Sequence, residues 1–187
     1  MPITVHDTSL VDVKLIEPKV FGDHRGFFVE SYSERDFAAA GLTASFVQDN
    51  HSYSSTKGIL RWIHFQYQPH TQTKLVRVTR GAVWDVALDL RKGSPTYGKW
   101  EGFELSAENF RMLWIPQGFA HGFCTLTEDV EFMYKNDRLY CPSEEGGIAW
   151  DDPDLNIAWP IDRSATILSD KDKIHPRLKD FNSPFVL

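Results

Sequence analysis

His64 stands in the run Gly58-Ile59-Leu60-Arg61-Trp62-Ile63-His64-Phe65-Gln66, which is otherwise rich in apolar side chains. An imidazole titrates near neutrality, so it can take a proton as a general base. A strand histidine is also a common packing residue, and this segment alone leaves both roles open. Lys74 opens Lys74-Leu75-Val76 after a polar connection, either as a solvated strand end or as a functional cation. Tyr134, in Val130-Glu131-Phe132-Met133-Tyr134-Lys135, shares a strand face with Val130 and Phe132. Core packing with a hydrogen-bonded hydroxyl is the plain alternative to a functional role there. Cys124 and Cys141 form neither a CxxC pair nor a disulfide framework and read as thiols without a role.

Holding such groups in place falls to strands. Short segments rich in Val, Ile, Phe, Tyr and Trp, separated by Gly, Pro, Asp and Asn, have the spacing of a sandwich or barrel. The expected strands are Val11–Glu17, Phe27–Tyr32, Phe46–Asn50, Ile59–Gln66, Lys74–Thr79, Ala82–Leu90, Trp100–Leu105, Arg111–Ile115, Phe123–Leu126 and Val130–Asn136. Ser33-Glu34-Arg35-Asp36 starts a helix with a capping-box-like signal, and Gly41 stops it after Phe37-Ala38-Ala39-Ala40. Short helical turns are expected between Ser164 and Lys179. The fold class is all-β, a jelly roll or sandwich with a few short helices. Arg80-Gly81 reads as a hairpin turn joining Thr79 to Ala82 and Val78 to Val83. In that register Trp84, Val86, Leu88 and Leu90 share one face. Lys74, Val76 and Val78 share the other with Val83, Asp85 and Ala87, making Lys74 and Asp85 diagonal neighbours.

With 187 residues, one domain spanning 1–187 is expected. Twenty basic against 26 acidic side chains leave a net charge of −6, which argues against a nucleic-acid-binding module. No stretch has the ~20 apolar residues of a membrane span. Met1-Pro2-Ile3-Thr4-Val5-His6-Asp7 lacks the basic and apolar regions of a signal peptide, so a cytoplasmic protein is expected. Aromatic residues, at 13%, suit β-structure and an aromatic-lined pocket equally.

Pro116-Gln117-Gly118-Phe119-Ala120-His121 resembles the second motif of the cupins, which are jelly-roll barrels. The first cupin motif normally supplies a His-x-His pair and a downstream Glu. Here the matching stretch holds His64-Phe65-Gln66 and no Glu before Lys74, so only His64 and His121 remain of the expected ligands. Two imidazoles fall short of the three protein ligands typical of a catalytic transition-metal site, so a barrel without a metal is expected.

An ordered set of segments from about residue 11 to 172 resembles the dTDP-4-dehydrorhamnose 3,5-epimerase family. It includes Phe21-Gly22-Asp23-His24-Arg25-Gly26-Phe27-Phe28, Phe46-Val47-Gln48-Asp49-Asn50-His51-Ser52, Leu60-Arg61 with His64-Phe65-Gln66, Trp114-Ile115-Pro116 through His121-Gly122-Phe123, Glu131-Phe132-Met133-Tyr134-Lys135 and Ser169-Asp170-Lys171-Asp172. The resemblance implies an all-β cupin jelly-roll barrel with a few short helices, a homodimer that epimerises a nucleotide-linked 4-keto-6-deoxyhexose, dTDP-4-dehydro-6-deoxy-D-glucose, without a cofactor. It makes His64 the base beside the ketone, Asp172 its acidic partner, Tyr134 the acid on the opposite face and Lys74 the cation at the enolate oxygen. Arg25, Glu30, Gln48, Asp49, Asn50, Arg61, His121, Glu145 and Lys171 then fall at substrate-binding positions, and Tyr140 stacks on the thymine. These types suit the reaction: inversion needs a base and an acid on opposite faces, and a fixed cation stabilises developing oxygen charge.

The chain departs from the family pattern at Trp62-Ile63, where Gly-Leu is usual. Strand alternation puts Trp62 on the side of His64, where an indole should reshape the pocket, restrict the sugar and favour epimerisation at one carbon or a different substrate. Alternation also puts Arg61 opposite His64, so either a bulge intervenes or Arg61 serves another pocket, across the dimer included. Single-position epimerisation, a metal-dependent oxygenase and a sugar-binding module are the competing functions.

Overall fold

The structure is a computed structural model describing residues 2–187. Met1, where both the expected domain and the N-terminal stretch begin, lies outside the described residues, as do the side chains of Ala165 and Lys173. In chain order the elements are β1 (Ile3–Asp7), β2 (Lys14–Pro18), β3 (Val20–Asp23), β4 (Gly26–Val29), α1 (Glu34–Ala39), β5 (Gln48–Ser54), β6 (Leu60–Gln66) and β7 (Lys74–Arg80). There follow β8 (Ala82–Asp89), β9 (Trp100–Ser106), β10 (Met112–Ile115), β11 (Phe119–Thr125), β12 (Val130–Asn136) and β13 (Glu145–Ile148). Among the described residues they form a six-stranded antiparallel sheet, β1-β2-β10-β7-β12-β5, and a five-stranded one, β13-β6-β11-β8-β9. β3 and β4 pair apart from both. The two large sheets face each other as a jelly-roll barrel, and Val76, Val78, Val83, Leu113, Phe123 and Phe132 fill the space between them.

All ten expected strands are present, with ends shifted. Ser33 caps α1 by accepting from the Asp36 N–H, and Gly41, at φ +80°, follows its end. The tail holds short 3-10 turns at Arg163–Ala165, Lys171–Lys173 and Leu178–Asp180. β1, β3 and β13 were not expected. β13 reads Glu145-Gly146-Gly147-Ile148, where two glycines erase the apolar alternation that marks a strand. Its glycines admit rings from β6: a Cβ on Gly146 would lie 2.6 Å from Phe65, and one on Gly147 1.5 Å from Trp62.

The Arg80-Gly81 hairpin needs correction. β7 pairs with β10 and β12, and β8 with β11 and β9, so the chain changes sheets at Gly81, which has φ +73°. The expected division of faces survives this change. Val76, Val78, Val83 and Ala87 lie in the interior cluster, and Val86, Leu88 and Leu90 in the cluster on the outer side of the five-stranded sheet. A sheet-switching corner and a hairpin place alternate residues alike, so the pattern could not separate them. Lys74 and Asp85 therefore interact across the interior, not along a ladder.

The question about Arg61 is answered by a bulge. His121 pairs with His64 and Phe123 with Arg61, so the single residue Gly122 on β11 faces both Trp62 and Ile63 on β6. The extra residue turns Arg61 to the same side as His64 and sends Trp62 and Ile63 into the outer cluster. Gly122 allows this close approach, since a Cβ there would lie 2.7 Å from the carbonyl oxygens of both Arg61 and Trp62. Gly122→Ala should destabilise the fold by about 1–3 kcal/mol, the usual cost of overpacking, read from the urea unfolding midpoint.

Candidate active site

The barrel interior opens into a cavity of about 490 Å³ whose walls include Arg61, Trp62, His64, His121, Tyr134 and Asp172. A second recess of about 280 Å³ adjoins it, sharing His64, Tyr134 and Glu145 and adding Gln48, Asn50, Lys74 and Tyr140. Strand register gathers these residues: Asn136 on β12 stands between Lys74 on β7 and Gln48 on β5, and Tyr134 stands opposite Asn50. Inward residues recur every second position, so His64 brings Gln66 and Tyr134 brings Asn136. That alternation was the available signal for Gln66 and Asn136, which the family pattern did not mark.

His64 Nδ1 lies 3.0 Å from the Trp62 carbonyl oxygen. A carbonyl can only accept, so Nδ1 carries the hydrogen and Nε2 presents its lone pair. Lys74 Nζ donates to that lone pair at 2.9 Å. Burial, then the Lys74 charge, then His121 hold His64 well below the usual histidine value of 6.5. Burial also pulls Lys74 down to about 8, against the opposing influence of Asp85 and Glu145. At neutral pH the pair is thus an ammonium beside a neutral imidazole. Burial raises Tyr134 above 10, keeping its phenol protonated, and Lys74 Nζ sits 5.9 Å from its ring centroid.

The pairing expected between His64 and Asp172 is not what the structure holds. Both nitrogens of His64 are engaged by Trp62 and Lys74. Asp172 Oδ2 accepts from the Ser169 N–H, while its buried Oδ1 has no hydrogen-bond partner among the described residues. The carboxylate–imidazole contact is instead between Asp85 and His121, 2.8 Å apart and fully buried on β8 and β11. His121 and His64 have ring centroids 5.9 Å apart. Among the described residues no group of three or more His, Cys, Asp or Glu side chains is arranged to hold a metal ion.

Other sequence-derived residues divide clearly. Gln48 and Asn50 line the recess, joined by a 2.9 Å hydrogen bond. Tyr140 stands exposed at its edge, and Lys171 bonds Glu145 at 3.3 Å. Asp49 points away, bound to Lys135 Nζ at 2.9 Å. Arg25, at the tip of the β3–β4 ribbon, pairs with Asp23, and neither it nor Glu30 reaches the cavity within the chain. Trp62 forms a wall and not a plug. Its indole lies over Gly147 and flat against His175, with centroids 3.7 Å apart and ring planes 3° from parallel.

Residues 7–180 match the family described as dTDP-4-dehydrorhamnose 3,5-epimerase. The chain belongs to this family. It is 54% identical over 171 residues to the dTDP-4-dehydrorhamnose 3,5-epimerase of Shigella flexneri, covering 91% of this chain and 93% of that protein. The Bacillus anthracis enzyme of that name, with TDP and PPi bound, superposes with a TM-score of 0.90 at 50% identity, covering 94% of this chain and 99% of that one. A Legionella pneumophila dTDP-6-deoxy-D-glucose-3,5-epimerase in complex with dTDP-4-keto-L-rhamnose gives 0.91 at 46% identity, covering 96% and 95%.

In this epimerase-family site, the folded chain holds the His64 proton less tightly than the unfolded chain does. Stability linked to His64 is therefore kept above the unfolded value of 6.5 and lost as pH falls from there toward the lower folded value. Lys74→Met removes the neighbouring charge while leaving the burial. His64 should then titrate at a higher pH than in the wild type, as followed by its imidazole NMR shifts; an unchanged titration would mean that burial acts alone.

Proposed function

We propose that the protein converts dTDP-4-dehydro-6-deoxy-D-glucose to dTDP-4-dehydro-L-rhamnose by inverting two carbons adjacent to the ketone. The observation that carries this reading is a neutral imidazole lone pair 2.9 Å from an ammonium, in one cavity with a protonated phenol on another strand. The substrate ketone supplies the electron sink. Lys74 turns from His64 Nε2 to the ketone oxygen, which frees the base and stabilises the enolate. His64 Nε2 takes the proton alpha to the carbonyl, the C–H electron pair forms the enolate double bond, and the carbonyl π pair moves to oxygen. Tyr134 then gives its phenolic proton to the carbon from the opposite face as the carbonyl re-forms, and exchange with water resets both groups.

Asp172 places negative charge on the wall shared with His64 and offsets the imidazolium without touching the ring. Asp85 fixes His121, which together with Arg61 lies along the substrate's path. Gln48, Asn50, Glu145 and Lys171 serve the nucleotide side of the site, with Tyr140 as an aromatic surface for the base.

A homodimer completes the reading. The ribbon β3–β4 projects Phe21, Phe27 and Phe28 at 46%, 64% and 64% exposure, and the same ribbon carries Arg25. Apolar aromatic surface of this kind is suited to burial against a second subunit, with Arg25 and Glu30 delivered to the partner's cavity. Asp49, on the outer side of the six-stranded sheet, belongs with that interface and not with the sugar. No helix among the described residues is long and apolar enough to cross a membrane. Two free cysteines suit the reducing cytoplasm.

Solvent deuterium should enter the sugar at two carbons. His64→Ala should abolish this exchange, and Tyr134→Phe should block net inversion while retaining some exchange. Labelling at one carbon supports a single-position epimerase, and no labelling by wild type overturns catalysis altogether. The dimer is checked by complementation. Arg25→Ala mixed and re-associated with His64→Ala should recover activity that neither has alone, because one site in each mixed dimer is then intact. No recovery in a demonstrated mixed dimer would place Arg25 in its own subunit's site.

A further inference from the structure

The segment that brings Asp172 to the cavity runs beside β6 and β13 and is tied at both ends by backbone hydrogen bonds. At one end Ile167 pairs with Gly58 and Leu60, its N–H donating to Gly58 at 3.1 Å and its carbonyl accepting from Leu60 at 3.0 Å. At the other the Ala149 N–H donates to the Pro176 carbonyl at 2.9 Å. Between these ties, Leu168, Ser169 and Asp172 form cavity wall. The turn Lys171–Lys173 is closed locally, the Ser169 N–H donating to Asp172 Oδ2 and the Asp172 N–H donating to the Ser169 carbonyl at 3.2 Å. The closed turn is seated on β6 by the ring of His175, beside the Pro176 tie, stacked face to face on Trp62 at 3.7 Å.

His175 is built for this contact. The ring also hydrogen-bonds the Lys171 backbone, closing the turn that holds Asp172. Its Nε2 is buried and has no partner among the described residues, a cost that the face-to-face contact with the indole must outweigh. Trp62 is equally committed. The bulge turns its side chain outward, and Gly147 leaves the space in which the indole lies. Its backbone carbonyl meanwhile accepts from His64 Nδ1 at 3.0 Å. One residue thus touches the base through its main chain and the Asp172 segment through its side chain.

We propose that Trp62 and His175 act as a positioning pair, whose stacked rings set where Asp172 stands relative to His64. This rests on the epimerase reading of the site, in which Asp172 offsets the imidazolium. Neither ring reacts. Their effect is geometric, and a misplacement of about 1 Å in a catalytic constellation can cost ~100-fold in rate. The carbonyl of residue 62 survives any side-chain change, so substituting the indole disturbs the Asp172 segment while leaving the His64 tautomer in place.

The test compares Trp62→Ala, His175→Ala, the double variant and His175→Phe with wild type. It reads kcat and KM for epimerisation and amide hydrogen exchange across residues 168–175. Each alanine variant should lower kcat on the order of tenfold or more with KM little changed, and should speed exchange in that segment. The double variant should fall no further than the worse single one, because both remove the same contact. His175→Phe, which keeps a flat ring on the indole, should restore most of kcat. Alanine variants with wild-type kcat and wild-type exchange, or a double variant that loses the product of both effects, would overturn the proposal. Should Trp62→Ala fail to fold, His175→Ala and His175→Phe decide it. A wild type with no epimerase activity overturns the functional reading instead, and amide exchange then still shows whether the stack pins the segment.

Discussion

The contact between Lys74 and His64 is the constraint around which the site is built. Taking an ammonium out of water is costly, and Lys74 is only 5% exposed. Asp85 and Glu145 offset part of that cost, which is why burial lowers the group only to about 8 and leaves it charged at neutral pH. The same charge, acting with burial, keeps His64 neutral. One close pair therefore sets the protonation state of both groups, and each state is the one that proton abstraction beside a ketone requires. Holding the pair needs two sheets, since Lys74 comes from the six-stranded sheet and His64 from the five-stranded one.

Small residues make that convergence possible. The bulge opposite Gly122 gives β6 an extra residue, and with it Arg61 and His64 share the cavity while Trp62 and Ile63 pack outward. Gly147 admits the indole on the outer side. The outer cluster and the cavity are thus shaped by the same few residues, and Trp62 belongs to both. The indole at position 62 forms part of the cavity wall and packs over Gly147 and against His175.

The carboxylates show how far residue types carry without geometry. Asp172 shares the cavity wall with His64 yet bonds the Ser169 backbone, while Asp85 makes the imidazole contact with His121. A hairpin register would make Asp85 a cross-strand neighbour of Lys74; β7 and β8 lie in different sheets, and the electrostatic relation holds because both side chains point into one interior. Arg25 and Glu30 lie outside the cavity of their own chain. A linear pattern records that a residue type is present at a position, and does not record whether the fold carries that position to the cavity.

Much was legible in the chain itself. Period-two alternation reveals strands because inward and outward faces meet different solvents, so the strands carrying His64, Lys74 and Tyr134 could be read directly. The Ser33 and Gly41 signals marked α1 for equally local reasons. The tertiary structure decided what depends on partners far along the chain. It set the sheet to which β7 and β8 each belong, the strand made by two glycines, the bulge at Gly122, and the stacking of His175 on Trp62. Each of these is a relation between segments brought together by folding, where hydrogen-bond register and close packing act over distances that sequence periodicity does not encode.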